Sequence, residues 1–340
     1  MKRIFFALAF LLPLPLASAN ADTGLTQLSI PAPHHGRSME VGIMFPSDGG
    51  TEATFGENPV FYGIPVHKNA KPVAGKHALV LLSHGWGGNY ARLGWLGAGL
   101  AEKGAIVVAV NHPNSTTGDL NKTSGQNHWT RAQDLSLALD HVLNDPAFAR
   151  YIDTTRIYAA GFSYGGWTAL SLAGLKGRAE GYGPYCKAAG DGSAHCRELK
   201  NMGIKISETD TEKWHLSYKD SRIAAAAAID PALTWGLSPD DTADLNGPVL
   251  LIGLGEGKYR LAATDTSATG SNFEALFPVA KVEQIVPATH FTALGPCKPQ
   301  GAAILEEEKD DPVCTDPAGT DRKVVTAQII DLIAQHFELN

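Results

Sequence analysis

Charge is scarce in this chain of 340 residues: only 19% are charged, with 28 Lys and Arg against 35 Asp and Glu. A net charge of −7 leaves no basic excess of the kind that nucleic-acid binders carry on one face. Long apolar runs are absent after the first residues, so no later segment is long enough to span a bilayer. No self-similar period of roughly 20 to 50 residues is present, which excludes solenoids and propellers. No Pro/Gly/Ser linker divides the chain. Cysteine is limited to four residues, Cys186, Cys196, Cys297 and Cys314, and their spacing matches no zinc signature. The apolar share of 44% is too high for a disordered chain. A chain of this length buries a sizeable core without staples.

The first residues read as an export signal. Met1-Lys2-Arg3 is a short basic start, residues 4–16 are almost wholly apolar, and Ala17-Ser18-Ala19 and Ala19-Asn20-Ala21 have the small-x-small pattern of a signal-peptidase site. The run is too short for a membrane anchor and carries Pro13 and Pro15. No Cys lies beside the cleavage site, which argues against a lipoprotein. The expectation is a signal peptide over 1–21 and an exported catalytic domain over 22–340, periplasmic or secreted from a bacterium. In an oxidising compartment an even Cys count favours disulfides. The neighbour pairing Cys186–Cys196 and Cys297–Cys314 is preferred because each pair brackets a loop-like stretch.

The middle of the chain alternates strand and helix. Residues 78–82, 106–110 and 156–160 are short apolar runs, and so are 223–229, 249–254 and 281–286. Residues 90–103, 131–143, 164–173 and 324–337 carry apolar residues at helical spacing. Continuous apolar strands between helices predict an α/β fold with a mostly parallel sheet covered on both faces. Residues 25–30, 39–46 and 60–66 resemble strands of an antiparallel lead-in. Two stretches break the rhythm. Residues 176–221, rich in Gly, Lys and polar residues, are expected to form a lid-like insertion. Residues 295–322, with Glu306-Glu307-Glu308, are expected to be loop, the acidic run solvated.

Gly161-Phe162-Ser163-Tyr164-Gly165-Gly166 follows a predicted strand and opens a predicted helix. G-x-S-x-G in that setting is a nucleophile elbow. The Ser must project from a sharp turn, and the crowding at that turn demands Gly two residues before and two after. A Ser needs a base, which should follow it in the chain. The His residues after it are His195, His215, His290 and His336. His195 and His215 lie in the insertion, and His336 is expected on the surface of the last helix. His290 follows the last predicted strand, at the carboxyl edge where sites form in open α/β sheets. The acid that orients the imidazole is Asp230, at the end of an apolar strand, with Glu256 and Asp265 after the next strand as rivals. Asp134 and Asp153 precede the nucleophile and read as structural. The oxyanion donors are expected from the backbone N–H of Tyr164 and of Trp86, in Ser83-His84-Gly85-Trp86-Gly87-Gly88-Asn89. His84 reads as a brace of that loop. The Trp86 ring is a candidate wall of the acyl pocket, as are Trp129, Trp167 and Trp235.

Four segments carry a family resemblance: 83–89, 106–113 (with Asn111-His112-Pro113), 161–166, and 227–231 with Ile229-Asp230-Pro231. On these the chain resembles the α/β-hydrolase superfamily, and within it the bacterial "predicted dienelactone hydrolase" proteins related to platelet-activating-factor acetylhydrolase. The resemblance implies an α/β-hydrolase fold and favours Asp230 as the acid. It also implies cleavage of a carboxylic ester through an acyl-enzyme, with Ser163 as nucleophile, His290 as base, and Trp86 and Tyr164 at the oxyanion. This chemistry calls for no metal or organic cofactor, and the expected partner is a small-molecule or lipid ester, with no nucleic acid and no lasting membrane insertion. Ser replaces the Cys nucleophile of true dienelactone hydrolases, so that activity does not follow. Alternatives are a polyester or cutin-type hydrolase or a lipase on the same triad, and, more remotely, a non-catalytic binding protein on a hydrolase fold.

Overall fold

The computed structural model describes residues 22–189, 194–206 and 209–339; the expected export segment 1–21 lies outside the described residues. The lead-in strands are β1 (Asp22–Ala32), β2 (Arg37–Ser47), β3 (Thr51–Phe55) and β4 (Ile64–Lys68). The central strands are β5 (His77–Ser83), β6 (Ile106–Asn111), β9 (Ile152–Phe162), β10 (Ala225–Ile229), β11 (Val249–Leu254) and β12 (Lys281–Ile285). Between β6 and β9, β7 (Ser115–Thr116) and β8 (Asp119–Leu120) form a small separate hairpin. The order across the ten-stranded sheet is β12-β11-β10-β9-β5-β6-β2-β1-β4-β3. From β12 to β6 all neighbours are parallel; β2 joins β6 antiparallel.

The helices are α1 (Gly94–Glu102), α2 (His128–Asn144), α3 (Tyr164–Ala173), α4 (Ala179–Ala189), α5 (Ala194–Met202), α6 (Thr211–His215), α7 (Pro239–Thr242), α8 (Phe273–Leu276), α9 (Gly301–Glu308) and α10 (Arg322–His336). The period of two along β5 explains why it reads as a continuous apolar run. Val80 and Leu82 pack with Leu96 of α1 and Ile329 of α10, while Leu79 and Leu81 pack with Leu135 of α2 and Leu172 of α3. Both faces are covered, as a buried parallel sheet requires.

Two expectations are corrected. The lead-in is not wholly antiparallel: β4 starts later than expected, lies parallel to β1, and pairs antiparallel with β3, which the sequence did not announce. The stretch 295–322 is not all loop: Glu306, Glu307 and Glu308 lie exposed in the last turn of α9. Within 176–221, expected as a lid-like insertion, the described residues carry α4, α5 and α6. Both disulfides pair as expected, with Cα–Cα distances of 5.5 Å for Cys186–Cys196 and 5.8 Å for Cys297–Cys314. The first joins α4 to α5. Gly181 and Pro184 lie inside α4 although both disfavour helix interiors. Gly181 serves packing: a Cβ there would lie 2.2 Å from the Gly236 carbonyl oxygen.

Candidate active site

The carboxyl ends of the parallel strands meet at one edge and deliver the site. Strand β9 runs into Ser163, which holds φ +57 and ψ −119 ahead of α3. Its N–H donates to the Ile229 carbonyl at 2.8 Å, fixing the turn to the end of β10. The flanking glycines are enforced by contact. A Cβ on Gly161 would sit 2.1 Å from the Gly165 carbonyl oxygen, and one on Gly165 would sit 1.9 Å from that of Ser83. The strained φ of a non-Gly residue is thereby locked by its neighbours.

His290 opens a short 3-10 turn after β12, with Thr289 and Thr292 capping it reciprocally. Its Nε2 lies 3.1 Å from Ser163 Oγ and its Nδ1 lies 2.8 Å from Asp230 Oδ2. An ionised carboxylate only accepts, so the Nδ1 proton points at Asp230 and Nε2 is left to accept the Ser163 hydroxyl proton. Asp230 is fully buried, and every bond it makes is to a donor. Oδ1 accepts from the Leu254 N–H and from Arg260 Nη1, both at 2.9 Å; Oδ2 also accepts from Thr264 Oγ1 at 2.9 Å. The rivals are placed otherwise. Glu256 is exposed beside a 3-10 turn, and Asp265 bonds Ser267 and Thr269 and faces Arg260 at 3.6 Å.

The loop after β5 carries one of the two expected oxyanion donors, Trp86, and the start of α3 the other, Tyr164. Among the described residues, the backbone N–H groups of Trp86 and Tyr164 take part in no hydrogen bond, so both stay available to a ligand. Tyr164 heads α3, where the first N–H groups lack helical partners. His84 is buried and braces the loop: its Nδ1 contacts the Gly85 carbonyl at 2.7 Å, and its Nε2 accepts from the His112 N–H at 3.2 Å. Burial and the nearby Arg131 charge push its pKa well below the ordinary 6.5, so it stays neutral.

Arg131 was not singled out from the sequence, yet it organises this loop. It is fully buried, and burial lowers its pKa to about 10, which leaves it charged at neutral pH. It donates to the His84 carbonyl, to Ser115 Oγ at 2.5 Å, and to Ser83 Oγ and Thr168 Oγ1, each at 3.2 Å. Its guanidinium lies 4.5 Å from the centre of the Tyr164 ring. An Arg three residues before Asp134 on the inward face of α2 was the available signal. Arg260 was missed as well; it follows β11 in a stretch weighed only for carboxylates.

A cavity of about 390 Å³ opens beside Ser163 and His290. Trp86 forms one wall. Leu199, Met202, Ile204, Ile206 and Trp214 of the insertion form the opposite one, and Leu233 and Phe291 complete it. Trp129, Trp167 and Trp235 are not among the lining residues. Trp167 is buried beneath α3, and the other two pack under the insertion. His215 lies in α6 near Glu180, His195 lies in α5, and His336 is half-buried with Nε2 toward the Ala226 carbonyl at 3.1 Å, not on the surface as expected.

A Ser at a strand–turn–helix elbow, with a His and a buried Asp from later strand ends of one parallel sheet, defines an α/β-hydrolase architecture. The profile described as "Alpha/beta hydrolase family" matches residues 79–331, and the chain belongs to that family. Among curated proteins it is similar to Cutinase 2 of Thermobifida cellulosilytica, 32% identical over 138 residues, covering 40% of this chain and 44% of that protein. Cutinase cut1 of Thermobifida fusca is likewise 32% identical over 138 residues, 36% of its length. The matched stretch thus spans less than half of either relative. Among solved structures, ferulic acid esterase from Streptomyces cinnamoneus superposes with a TM-score of 0.61 at 19% identity, covering 95% of this chain and 91% of that one. At that identity the likeness speaks to the fold.

Proposed function

We propose that the protein is an exported serine esterase that cleaves carboxylic esters through an acyl-enzyme. The observation that carries this reading is the unbroken chain Ser163–His290–Asp230, at 3.1 and 2.8 Å, opening on an apolar cavity. Ser163 Oγ attacks the ester carbonyl while His290 Nε2 takes its proton. The imidazolium so formed is stabilised by Asp230, and the negative carbonyl oxygen by the N–H groups of Tyr164 and Trp86. His290 then protonates the leaving alcohol as the tetrahedral centre collapses. Water, deprotonated by His290, releases the acid and restores Ser163. Arg260, Thr264 and the Leu254 N–H hold the Asp230 carboxylate in place by hydrogen bonds.

The apolar wall contributed by the insertion favours a soluble ester with a short, apolar acyl group seated against it. Similarity to cutinases favours a second reading, hydrolysis of a polymeric ester, which an open cleft would suit better. The relation to platelet-activating-factor acetylhydrolase rests on the sequence segments alone. A single catalytic domain over 22–340 behind a signal at 1–21 remains our reading of the chain, and the two disulfides support an oxidising destination. Among the described residues no helix is long and apolar enough to cross a membrane. Hydrolysis of p-nitrophenyl esters from acetate to palmitate, run beside a polyester film, tests the reading. Turnover peaking at short chains, lost in Ser163→Ala of unchanged fold, is expected. Film erosion without soluble-ester turnover would favour the polymer reading, and full activity in Ser163→Ala would overturn the mechanism.

A further inference from the structure

His34 and His35, in the turn between β1 and β2, meet Asp134 of α2, a hundred residues away in sequence. His34 Nε2 lies 2.6 Å and His35 Nε2 3.0 Å from the same oxygen, Asp134 Oδ1. All three potential ligand atoms lie within 4.8 Å of one another. Successive side chains on a 3-10 turn ordinarily diverge by about 120°. Here both rings turn the same way, with centroids 4.4 Å apart. The turn is preset: Pro33 opens it and Gly36, at φ +65, closes it with its N–H on the Pro33 carbonyl at 3.0 Å.

We propose that His34, His35 and Asp134 form a binding site for one divalent transition-metal ion of the zinc class, which ties the β1–β2 turn to helix α2. Ligand atoms on a tetrahedral zinc, each about 2.0–2.1 Å from the ion, stand about 3.3 Å apart. The spacing to His35 is already near that value; His34 must withdraw from Asp134 by less than about 1 Å, and the two imidazole nitrogens, within 4.8 Å of each other, must draw together to close on the ion. Its side chain is 22% exposed, so it has room to move and leaves a fourth position open to water. Two imidazoles and one carboxylate suit zinc, cobalt or nickel rather than magnesium or calcium.

The surroundings have the outer bonds that aim a ligating carboxylate. Asp134 Oδ2, the oxygen left over, contacts His112 Nδ1 at 2.9 Å, and His112 Nε2 contacts Ser83 Oγ at 2.9 Å. The site therefore stands three bonded groups from the loop that carries Trp86. Without an ion the same atoms form hydrogen bonds only.

The test uses the full chain freed of metal by chelator dialysis, titrated with Zn²⁺ alone by calorimetry and followed by thermal melting. Binding of one ion per chain is expected, with a rise in Tm of roughly 3 °C or more at saturating metal. Both effects should vanish in His34→Ala/His35→Ala, whose far-UV circular dichroism and ester turnover report an intact fold. Co²⁺ on the unaltered protein should give the visible bands of four-coordinate cobalt with nitrogen and oxygen ligands. Absence of Zn²⁺ binding by the unaltered chain, equal binding by the double variant, or equal stabilisation by Mg²⁺ would each overturn the proposal.

Discussion

On the sheet side of the cavity, neighbouring backbone leaves no space at Gly161 and Gly165, Asp230 accepts four bonds, and Arg131 fills the space behind the oxyanion loop. On the opposite side, α4 carries Gly181, Gly183 and Pro184 and is joined to α5 by Cys186–Cys196. The first wall is over-determined by packing and hydrogen bonds, so it holds a strained Ser in place. The second depends on a staple and on a small apolar cluster with Trp129, Trp214 and Trp235. A reacting centre needs fixed geometry, whereas the wall that admits substrate needs only to exclude water. Substitutions should therefore cost far more on one side than on the other.

The sharpest break in that contrast is a matched pair of glycines. Gly165→Ala drives a Cβ into the Ser83 backbone and is expected to cost more than about 4 kcal/mol, enough to prevent folding at ordinary temperature. Gly183→Ala in α4 meets nothing within 4 Å and should be neutral or stabilising by up to about 1 kcal/mol. Urea melts of both decide this; similar costs would erase the contrast.

Next in size is Asp230→Asn, which keeps shape but removes the acceptor for the His290 Nδ1 proton. A fall in kcat of roughly 10³–10⁴-fold is expected, together with a lower Tm, because the amide nitrogen cannot accept from the donors that surround Asp230. Glu256→Gln should leave kcat within about twofold, a surface substitution of small effect; a large loss there would move the acid to Glu256.

Removal of the lid staple in Cys186→Ser/Cys196→Ser should destabilise α4 and α5 by about 3 kcal/mol on the chain-entropy account of disulfides. The loss should show as faster local hydrogen exchange, with the melting of the sheet core unchanged. A matched fall in global stability would mean that lid and core unfold as one unit.

The smallest effect concerns pH. His128 is buried where α2 meets the lid, and burial lowers its pKa to about 3, against 6.5 for an exposed His. The unfolded chain therefore binds this proton first as pH falls. The stabilising contribution is complete above pH 6.5 and is lost steadily toward pH 3. Between pH 7 and pH 5 the loss should be about 2 kcal/mol, absent in His128→Phe, as denaturant melts at the two values would reveal. An equal pH dependence in both proteins would contradict the assignment.

Much of the sheet wall was legible because its chemistry is local. The elbow spells its own crowding in Gly161 and Gly165, and the strands β5, β6 and β9 to β11 announce themselves as short apolar runs with both faces buried. Asp230 and His290 were found by their position after such runs. The groups that hold those residues were not legible, since Arg260 reaches Asp230 across 30 residues and Arg131 reaches His84 across 47. Nothing local distinguishes a buried Arg from a solvated one until the fold closes over it. In the lid, the helices were not legible because a glycine that packs closely, as Gly181 does against Gly236, looks in sequence like one placed for a turn. Trp214 gave no sign that it would wall the cavity in place of Trp167. The three histidines around Asp134 come from two separate loops, and only the folded chain gathers them.

The most direct test of the central claim is the mass of the intact protein after treatment with a fluorophosphonate, followed by peptide mapping. One adduct per chain on Ser163, absent after denaturation or in His290→Ala, is the result expected of an activated serine. A folded, untreated-length protein that takes up no adduct, or takes it up on another residue, would contradict the account.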